Sequence, residues 1–434
     1  MGVSAFGYMT RSLPGNGWPL KYSRAGLAAL LMLSIVLPTA AKSFAIGLLI
    51  VLLWMIGLAF ASGQIAWTAR RQAIGVAALF FSAFGLFESL YGSAHGAPGA
   101  VNVLTVYVVY PPLFFIIGSA FQDGDFTRLA KLFRFATAFV IATQVAFLLS
   151  WAGIDGGRFA MLMTHIYKGS AVVDKTESFT VFTLPNVSSL MFLAPFMLAD
   201  TLLTGRGRAL SAALFVLSLL ACVLAGRRAI YPVLVLSIVS TAFFSRPLLN
   251  YKEMRTRTKR GILVLTILGV TIGGVAIVGG VINFHEAITR LMSLEKVTTE
   301  SYPRIKQFHV LMNEVGSSPV VGEGGGAAGS YIRSNSQPWA YELTYVDLLF
   351  QFGITGCVLF ACGVLFLLNC LMRAIKKHSL NLDERSAIVC FSVGFIGFVA
   401  ANATNPYLEK FSYMWIIFIP VAAVAYGIDF AQSA

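Results

Sequence analysis

Long apolar runs separated by short polar segments dominate the chain from residue 25 to residue 430. A helix needs about 17 to 25 mostly apolar residues to cross a hydrocarbon layer of about 30 Å. Runs of this kind predict twelve membrane spans, of which the first is the least sharply bounded. They lie near 25–41, 43–62, 73–92, 102–121, 134–153, 181–203, 209–225, 229–245, 262–283, 344–372, 386–403 and 411–430.

One polar segment, 284–343, is much longer than the turns between the other predicted spans. The pattern therefore predicts an all-α polytopic membrane protein with a large, partly helical loop between spans nine and ten. This divides the chain into helices one to nine (1–283), the loop (284–343) and helices ten to twelve (344–434). The very short turns between spans one and two and between spans seven and eight predict antiparallel hairpins.

Composition supports the membrane class and excludes a soluble domain. Hydrophobic residues make up 57% of the chain and charged residues 12%, with a mean hydropathy of +0.77. A soluble domain carries about 25% charged residues. The five cysteines all fall in apolar runs without the paired spacing of a metal site or a disulfide framework, so we interpret them as packing residues.

The distribution of Lys and Arg predicts cytoplasmic N- and C-termini and an external 284–343 loop, because positive residues favour the cytoplasmic side of a membrane. The formal net charge of +13 is then spread over cytoplasmic turns beside anionic lipid headgroups. This argues against a nucleic-acid partner. The first apolar run lacks a cleavage-site pattern after it, so we expect it to be retained.

Arg227 and Arg228 break this charge rule, because they lie in a short turn on the predicted outer side. One interpretation is that they extend to lipid phosphates. The functional interpretation is that they bind an anionic ligand at the outer boundary of the membrane, since the planar guanidinium binds phosphate through two parallel hydrogen bonds.

Weaker candidates lie on the same predicted side. The 154–180 loop contains Arg158 and His165, and Asn186 follows Pro185 at the start of span six, where an Asn also serves as a helix cap. Glu88 is an intramembrane carboxylate, which is a functional candidate unless a neighbouring helix supplies a partner.

The long loop contains a predicted amphipathic helix from Tyr302 to Val315, with an apolar stripe through Ile305, Phe308 and Met312. This helix either lies on the bilayer surface or covers a cavity and directs Arg304 inward. The glycine-rich run 322–326 is either a flexible turn or a place where backbone N–H groups approach a phosphate. No Lys-Ser or Lys-Thr follows it, which excludes a nucleotide P-loop.

These motifs, in this order, resemble the O-antigen ligase and O-antigen polymerase superfamily of bacterial envelope proteins. The resemblance covers roughly residues 150–360. It rests on Arg158, Pro185-Asn186, Gly226-Arg227-Arg228-Ala229, Arg304-Ile305-Lys306-Gln307, Ser318-Pro319-Val320-Val321-Gly322-Glu323-Gly324 and the stretch from Tyr345 to Gly356.

The resemblance implies a multi-pass glycosyltransferase of the bacterial inner membrane with its active site on the periplasmic face. The donor would be a glycan on undecaprenyl pyrophosphate, held by Arg228 and Arg304. Arg227 departs from the small hydroxyl residue common in the family. Glu342 stands where ligases that act on lipid A-core usually carry a His, so a repeat-unit polymerase is the first expectation and a ligase is the alternative.

The chemistry agrees with these residue types. Breaking a sugar–pyrophosphate bond makes the leaving group more negative, and fixed guanidiniums stabilise that charge. No Asp-x-Asp signature for a metal occurs on the predicted outer side, so we expect the arginines to replace a divalent cation. We also expect no cofactor. The acceptor hydroxyl needs a base, for which Glu342 is the first candidate and His309 the second. Glu342 could instead pair with Arg333, a weaker binding candidate, or cap the returning helix.

A lipid-linked oligosaccharide flippase or transporter is the third alternative, although the chain shows no convincing internal repeat. The expected partners are the lipid-linked oligosaccharide, a growing polysaccharide or lipid A-core acceptor and the bilayer, with a chain-length regulator left open. The sugars, their linkage and the oligomeric state do not follow from the sequence.

Overall fold

The fold was analysed in a computed structural model of the 434-residue chain. The structure describes residues 18–65, 68–121, 124–167, 171–176, 179–203, 207–249, 294–333, 335, 337–377 and 380–427, together with five single positions between 256 and 266. The predicted ninth span, 262–283, and the first ten residues of the long loop lie outside these residues except for positions 262, 263 and 266.

The described residues form helices joined by connecting segments, with one small β-hairpin. The helices are α1 (Trp18–Val36), α2 (Lys42–Ala61), α3 (Ala69–Ala94), α4 (Ala100–Val103), α5 (Tyr110–Ser119), α6 (Asp125–Trp151), α7 (Arg158–Ile166), α8 (Leu190–Leu203), α9 (Arg208–Leu224), α10 (Ile230–Ser245), α11 (Leu294–Val315), α12 (Thr344–Lys376), α13 (Leu382–Asn402) and α14 (Trp415–Gly427). A π-helical segment, Leu104–Val109, joins α4 to α5, and short 3-10 helices occupy Pro185–Ser189 and Phe411–Tyr413.

The helical, multi-pass class predicted from the sequence is confirmed. Among the described residues, eight helical segments are long and apolar enough to cross a membrane, and Arg208–Leu224, Ile230–Ser245 and Trp415–Val424 are shorter apolar helices. The predicted count of twelve is not established by these residues.

Several predicted boundaries were wrong. Helix α6 begins at Asp125, nine residues before the predicted start, because its charges are paired: Arg128 contacts Asp125, and Arg134 binds both carboxylate oxygens of Asp200 at 2.7 Å. Paired charges remain compatible with a helix packed among other helices.

The predicted loop 154–180 contains structure that the hydrophobic pattern did not indicate. Helix α7 is followed by an antiparallel hairpin of β1 (Val172–Thr176) and β2 (Phe179–Thr183), in which Val172 pairs with Thr183. Because residues 181–183 belong to β2, the sixth span does not start at residue 181 as predicted, but at Pro185.

The centre of the bundle is formed by α8 and α13, which are buried by the surrounding helices along almost their whole length. Aromatic rings pack there edge to face, and the Phe133 ring centroid lies 5.7 Å from that of Phe192, 5.5 Å from that of Phe391 and 5.4 Å from that of Trp415. Such aromatic pairs add stabilisation beyond the apolar area that they bury.

The connecting segments gather at two opposite ends of this bundle. At one end, Tyr167 donates to the Val36 carbonyl at 2.8 Å, Tyr413 donates to the Pro185 carbonyl at 3.2 Å, and the N–H of Gly99 donates to the carbonyl oxygen of Gly326 at 2.9 Å. We call this the loop end; it contains segments 37–41, 95–99, 184–189, 225–229, 316–343 and 403–414. These are segments for which the charge distribution predicted one common side.

Candidate functional site

Glu342 is held between two arginines at the loop end. Its Oε2 atom accepts a hydrogen bond from Arg304 Nε at 2.7 Å, and its Oε1 atom lies 2.6 Å from a terminal nitrogen of Arg333. The Glu342 side chain is 16% exposed, whereas those of Arg304 and Arg333 are 40% and 50% exposed. Because two arginines share one carboxylate, Arg304, Arg333 and Glu342 together carry a net positive charge. Each guanidinium has five N–H donors, so the two arginines retain donors on the side that meets solvent.

Helix α11 directs Arg304 toward Glu342. The buried face of α11 consists of Gln307, Leu311 and Val315, and the last two pack in a small core with Tyr341, the residue before Glu342. The predicted start of this helix at Tyr302 was wrong, because the helix begins at Leu294 and Pro303 lies inside it. Its predicted end at Val315 is confirmed.

The apolar stripe predicted for α11 faces away from the protein. Ile305 is 42% exposed, Phe308 43% and Met312 38%. The helix thus combines features of both interpretations of its sequence: an outward apolar stripe that suits a bilayer surface, and an inward Arg304.

The glycine-rich run 322–326 packs between α3 and α12, and we call it the glycine joint. The N–H groups of Glu323 and Gly324 donate to the Phe350 and Gln351 carbonyls at 2.9 Å, and that of Gly325 donates to the Glu88 carbonyl at 3.0 Å. Among the described contacts, the N–H groups of residues 323–326 all have protein acceptors. They are therefore not open to a phosphate, and the phosphate-binding interpretation of the glycine run is wrong.

This joint connects α11 to a break in α12. Gly353 has φ +61° and ψ −165° inside α12, and the next two N–H groups, those of Ile354 and Thr355, donate to the carbonyls of Pro319 and Val320 at 2.9 and 3.1 Å. The break leaves these two N–H groups without acceptors inside α12, and carbonyl groups of the 316–326 segment accept their hydrogen bonds. The positions of Arg304 and Glu342 therefore depend on this joint.

Lys410 lies near Glu342, and Arg227 lies near Lys410. Lys410, in the segment between α13 and α14, interacts electrostatically with Arg227, Arg333 and Glu342. Although part of its side chain meets solvent, desolvation and the two arginines lower the pKa of Lys410, while Glu409 and Glu342 oppose that change. We refer to Arg227, Arg304, Arg333, Glu342 and Lys410 as the charged cluster.

The turn between α9 and α10 places Arg227 in this cluster. Gly226 has φ +64°, and the N–H of Arg227 donates to the Cys222 carbonyl at 2.9 Å, which closes the turn. The Arg227 side chain is half-buried, and its Nε atom is buried without an acceptor among the described residues. Arg228 is exposed. Arg227 interacts electrostatically with Lys410 and with the Tyr413 hydroxyl.

An apolar groove leads away from the cluster between α3, α5, α12 and α14. It has a volume of about 230 Å³, and the α12 residues that line it extend from Thr344 to Leu367, a helical rise of roughly 35 Å at about 1.5 Å per residue. Its lining is aromatic and aliphatic along most of this length. Thr344, Tyr345, Asn402 and Glu409 supply polar groups at the loop end.

The weaker predicted site residues lie elsewhere in the described structure. Arg158 and His165 are exposed on α7, and His165 lines a separate shallow pocket with Trp151. Asn186 is fully buried and donates to the Thr143 hydroxyl at 3.0 Å. His309 is exposed on α11, with its ring 5.7 Å from that of Phe308. None of the described contacts joins these four residues to the charged cluster, and their roles stay predictions.

Glu409 and Lys410 were not predicted as site residues from the sequence. The available signal was a Glu-Lys pair directly before the last apolar run, in the polar segment Asn405-Pro406-Tyr407-Leu408-Glu409-Lys410. Charged residues at the edge of a span are common, so only contacts with α9, α12 and the long loop give this pair weight.

Two other features bear on possible ligands. Glu88 is 1% exposed, and its Oε2 atom lacks a hydrogen-bond partner among the described residues. Within the same residues, no group of three or more His, Cys, Asp or Glu side chains is arranged to hold a metal ion.

Comparison with known proteins adds no family assignment. No protein-family model matches the chain, and no curated protein matches it in sequence. The geometry of the charged cluster and the groove is therefore the basis for assigning a function.

Proposed function

We propose that the chain is a membrane glycosyltransferase that transfers a glycan from a polyprenyl pyrophosphate to an acceptor hydroxyl. The observation that carries the proposal is the position of the charged cluster at one end of a groove of bilayer length. A polyprenyl pyrophosphate has the same division, since a long apolar chain ends in an anionic headgroup. The groove suits the chain, and the four cations of the cluster suit the pyrophosphate.

The charges of the cluster favour departure of the pyrophosphate. When the bond between the sugar and the pyrophosphate breaks, negative charge grows on the leaving oxygen. Arg304 and Arg333 are fixed by Glu342 before any substrate binds, so little reorganisation is needed to stabilise that charge. Arg227 brings a further guanidinium from a different pair of helices.

In the family that the sequence resembles, the donor is an undecaprenyl-pyrophosphate-linked glycan and the reaction takes place on the periplasmic face of the bacterial inner membrane. We propose the same donor and location here, with both termini cytoplasmic. Glu342 at the position of the ligase histidine favours a repeat-unit polymerase over a ligase that transfers the glycan to lipid A-core.

The test is an assay of the purified protein with a short-chain analogue of the lipid-linked repeat, with and without lipid A-core. A glycan ladder formed without the core supports the polymerase, and a single core-linked product supports the ligase. Absence of both products, together with movement of the lipid across a vesicle, would contradict glycosyl transfer and identify a flippase.

A further inference from the structure

Glu409 lies where the apolar groove meets the charged cluster. Its side chain lines the groove and also a small cavity of about 10 Å³, which is shared with Tyr107, Trp339 and Asp347. The next residue, Lys410, belongs to the charged cluster. Glu409 therefore faces the place where the headgroup of a lipid bound in the groove would begin.

A buried hydroxyl at this end of the groove, that of Thr344, indicates that polar atoms of a ligand bind there. Thr344 lines the groove, is only 6% exposed, and its hydroxyl has no hydrogen-bond partner among the described residues. A buried hydroxyl without a partner has lost its hydrogen bonds to water and gained none from the protein. A sugar or phosphate oxygen at this end of the groove would satisfy it.

Glu342 is poorly arranged to take a proton. Both of its carboxylate oxygens are already engaged by guanidiniums, at 2.7 and 2.6 Å. To reach an acceptor hydroxyl it would have to break an ion pair that holds Arg304 or Arg333 in place. Glu409 accepts no hydrogen bond from a guanidinium among the described contacts.

We propose that Glu409 is the general base of the glycosyl transfer and that Glu342 is a positioning residue for the arginines, an inference that rests on the proposed function. In the step, the acceptor hydroxyl oxygen forms a bond to the anomeric carbon as the bond from that carbon to the pyrophosphate oxygen breaks. The bonding electrons leave with the lipid pyrophosphate, and the hydroxyl proton passes to the Glu409 carboxylate and then to solvent.

The surroundings of Glu409 suit this role. Burial raises the pKa of Glu409 to about 7, and the positive charge of Lys410 opposes that rise. The groups that face it are Tyr345 and Asp347 from α12, Tyr107 from the π-helical segment, and Lys410 beside it, with Arg227, Arg333 and Glu342 beyond Lys410. A base with a pKa near the working pH combines a large ionised fraction with good proton affinity.

The decisive experiment compares Glu409→Gln with Glu342→Gln in the assay of the purified full-length protein. Glu409→Gln should lower kcat by at least about 100-fold, as expected for loss of a general base, while farnesyl pyrophosphate, used as a binding probe, keeps its Kd within about twofold. Glu342→Gln should weaken binding of that probe and keep the acid limb of the pH profile of kcat/KM. Glu323→Gln is the matched control and should leave kcat unchanged. Among the described contacts, the Glu323 carboxylate accepts a hydrogen bond only from the Ser317 hydroxyl.

The pH profile gives a second, independent readout. Activity should rise with pH through about 7 as Glu409 loses its proton. Lys410→Gln removes the charge that opposes the raised pKa, so it should move this limb to higher pH. Because Lys410 also interacts with Glu342, the shift is measured again in the Glu342→Gln background, where Glu342 no longer titrates. This comparison tests Glu409 even if Glu409→Gln fails to accumulate in membranes.

Wild-type kcat in Glu409→Gln, or an unmoved limb in Lys410→Gln, would overturn the assignment and leave glycosyl transfer intact. A wild-type protein that transfers no glycan would instead overturn the proposed function, and the assignment with it.

Discussion

Arg304 Nε donates to Glu342 Oε2 at 2.7 Å across 38 residues of sequence. This contact joins the helix of the long loop to the start of α12, and Arg333 completes it from the other side of the carboxylate. The two arginines are thereby oriented by the protein before a ligand binds. That arrangement leads to separate predictions for the guanidiniums, the glycine joint, the groove and the orientation in the membrane.

Lysine substitutions test the guanidiniums. Arg304→Lys and Arg227→Lys keep the positive charge but lose two-pronged phosphate binding, so kcat/KM should fall by about 30- to 150-fold, or about 2–3 kcal/mol. Arg228→Lys should have a smaller effect, since Arg228 is exposed. Arg373→Lys in the last turn of α12 is the control. Equal, wild-type rates in all four variants at equal membrane abundance would show that these arginines serve insertion or lipid anchoring.

Alanine substitutions test the glycine joint. Gly326 has φ +80°, and a Cβ atom there would lie 2.1 Å from the Gly99 carbonyl carbon. Gly96 has a similar φ of +77° with open space around its Cβ position, so Gly96→Ala reports only the backbone strain. We expect Gly96→Ala to cost about 1–2 kcal/mol and Gly326→Ala clearly more, measured as thermal stability in detergent. Equal losses of thermal stability in the two variants would mean that the segments around Gly99 and Gly326 can move apart at little cost.

A larger side chain tests the groove. Ala77 on α3 lines the groove, whereas Val76 beside it is 67% exposed and points outward. Ala77→Phe should raise KM for a long-chain donor about tenfold, equivalent to excluding about two methylene groups at about 0.8 kcal/mol each, and should change KM less for a short-chain donor. Val76→Phe is the control. A KM that changes equally for both chain lengths would place the lipid chain elsewhere.

Cysteine labelling tests the orientation. If the loop end is external, Ala229→Cys in the α9–α10 turn should react with a membrane-impermeant thiol reagent on intact spheroplasts. Ser62→Cys, at the exposed end of α2, should react only after lysis. The unsubstituted protein measures the background from its five native cysteines. The reverse labelling pattern would place the charged cluster on the cytoplasmic side and contradict the proposed reaction.

The hydrophobic pattern alone determined the helical, multi-pass class, because the length of an apolar run is a local property set by the thickness of a bilayer. It also located the hairpin of Arg227 and Arg228 and the loop helix that ends at Val315. Helix boundaries were predicted less accurately where charged residues inside a helix are paired with charges on another helix. The start of α6 was missed because Arg134 finds Asp200 on α8, 66 residues along the chain.

Tertiary structure decided which polar residues meet. The sequence contains Arg304, Arg333 and Glu342 as separate candidates, but only folding brings both guanidiniums to one carboxylate. The same holds for Lys410, whose relation to Arg227 depends on the packing of α9, α10 and α13. Periodicity describes which face of one helix is apolar, whereas electrostatic contacts depend on distances between segments far apart in the chain. For this reason the sequence predicted the arginines, while the structure alone revealed Glu409 at the junction of the groove and the charged cluster.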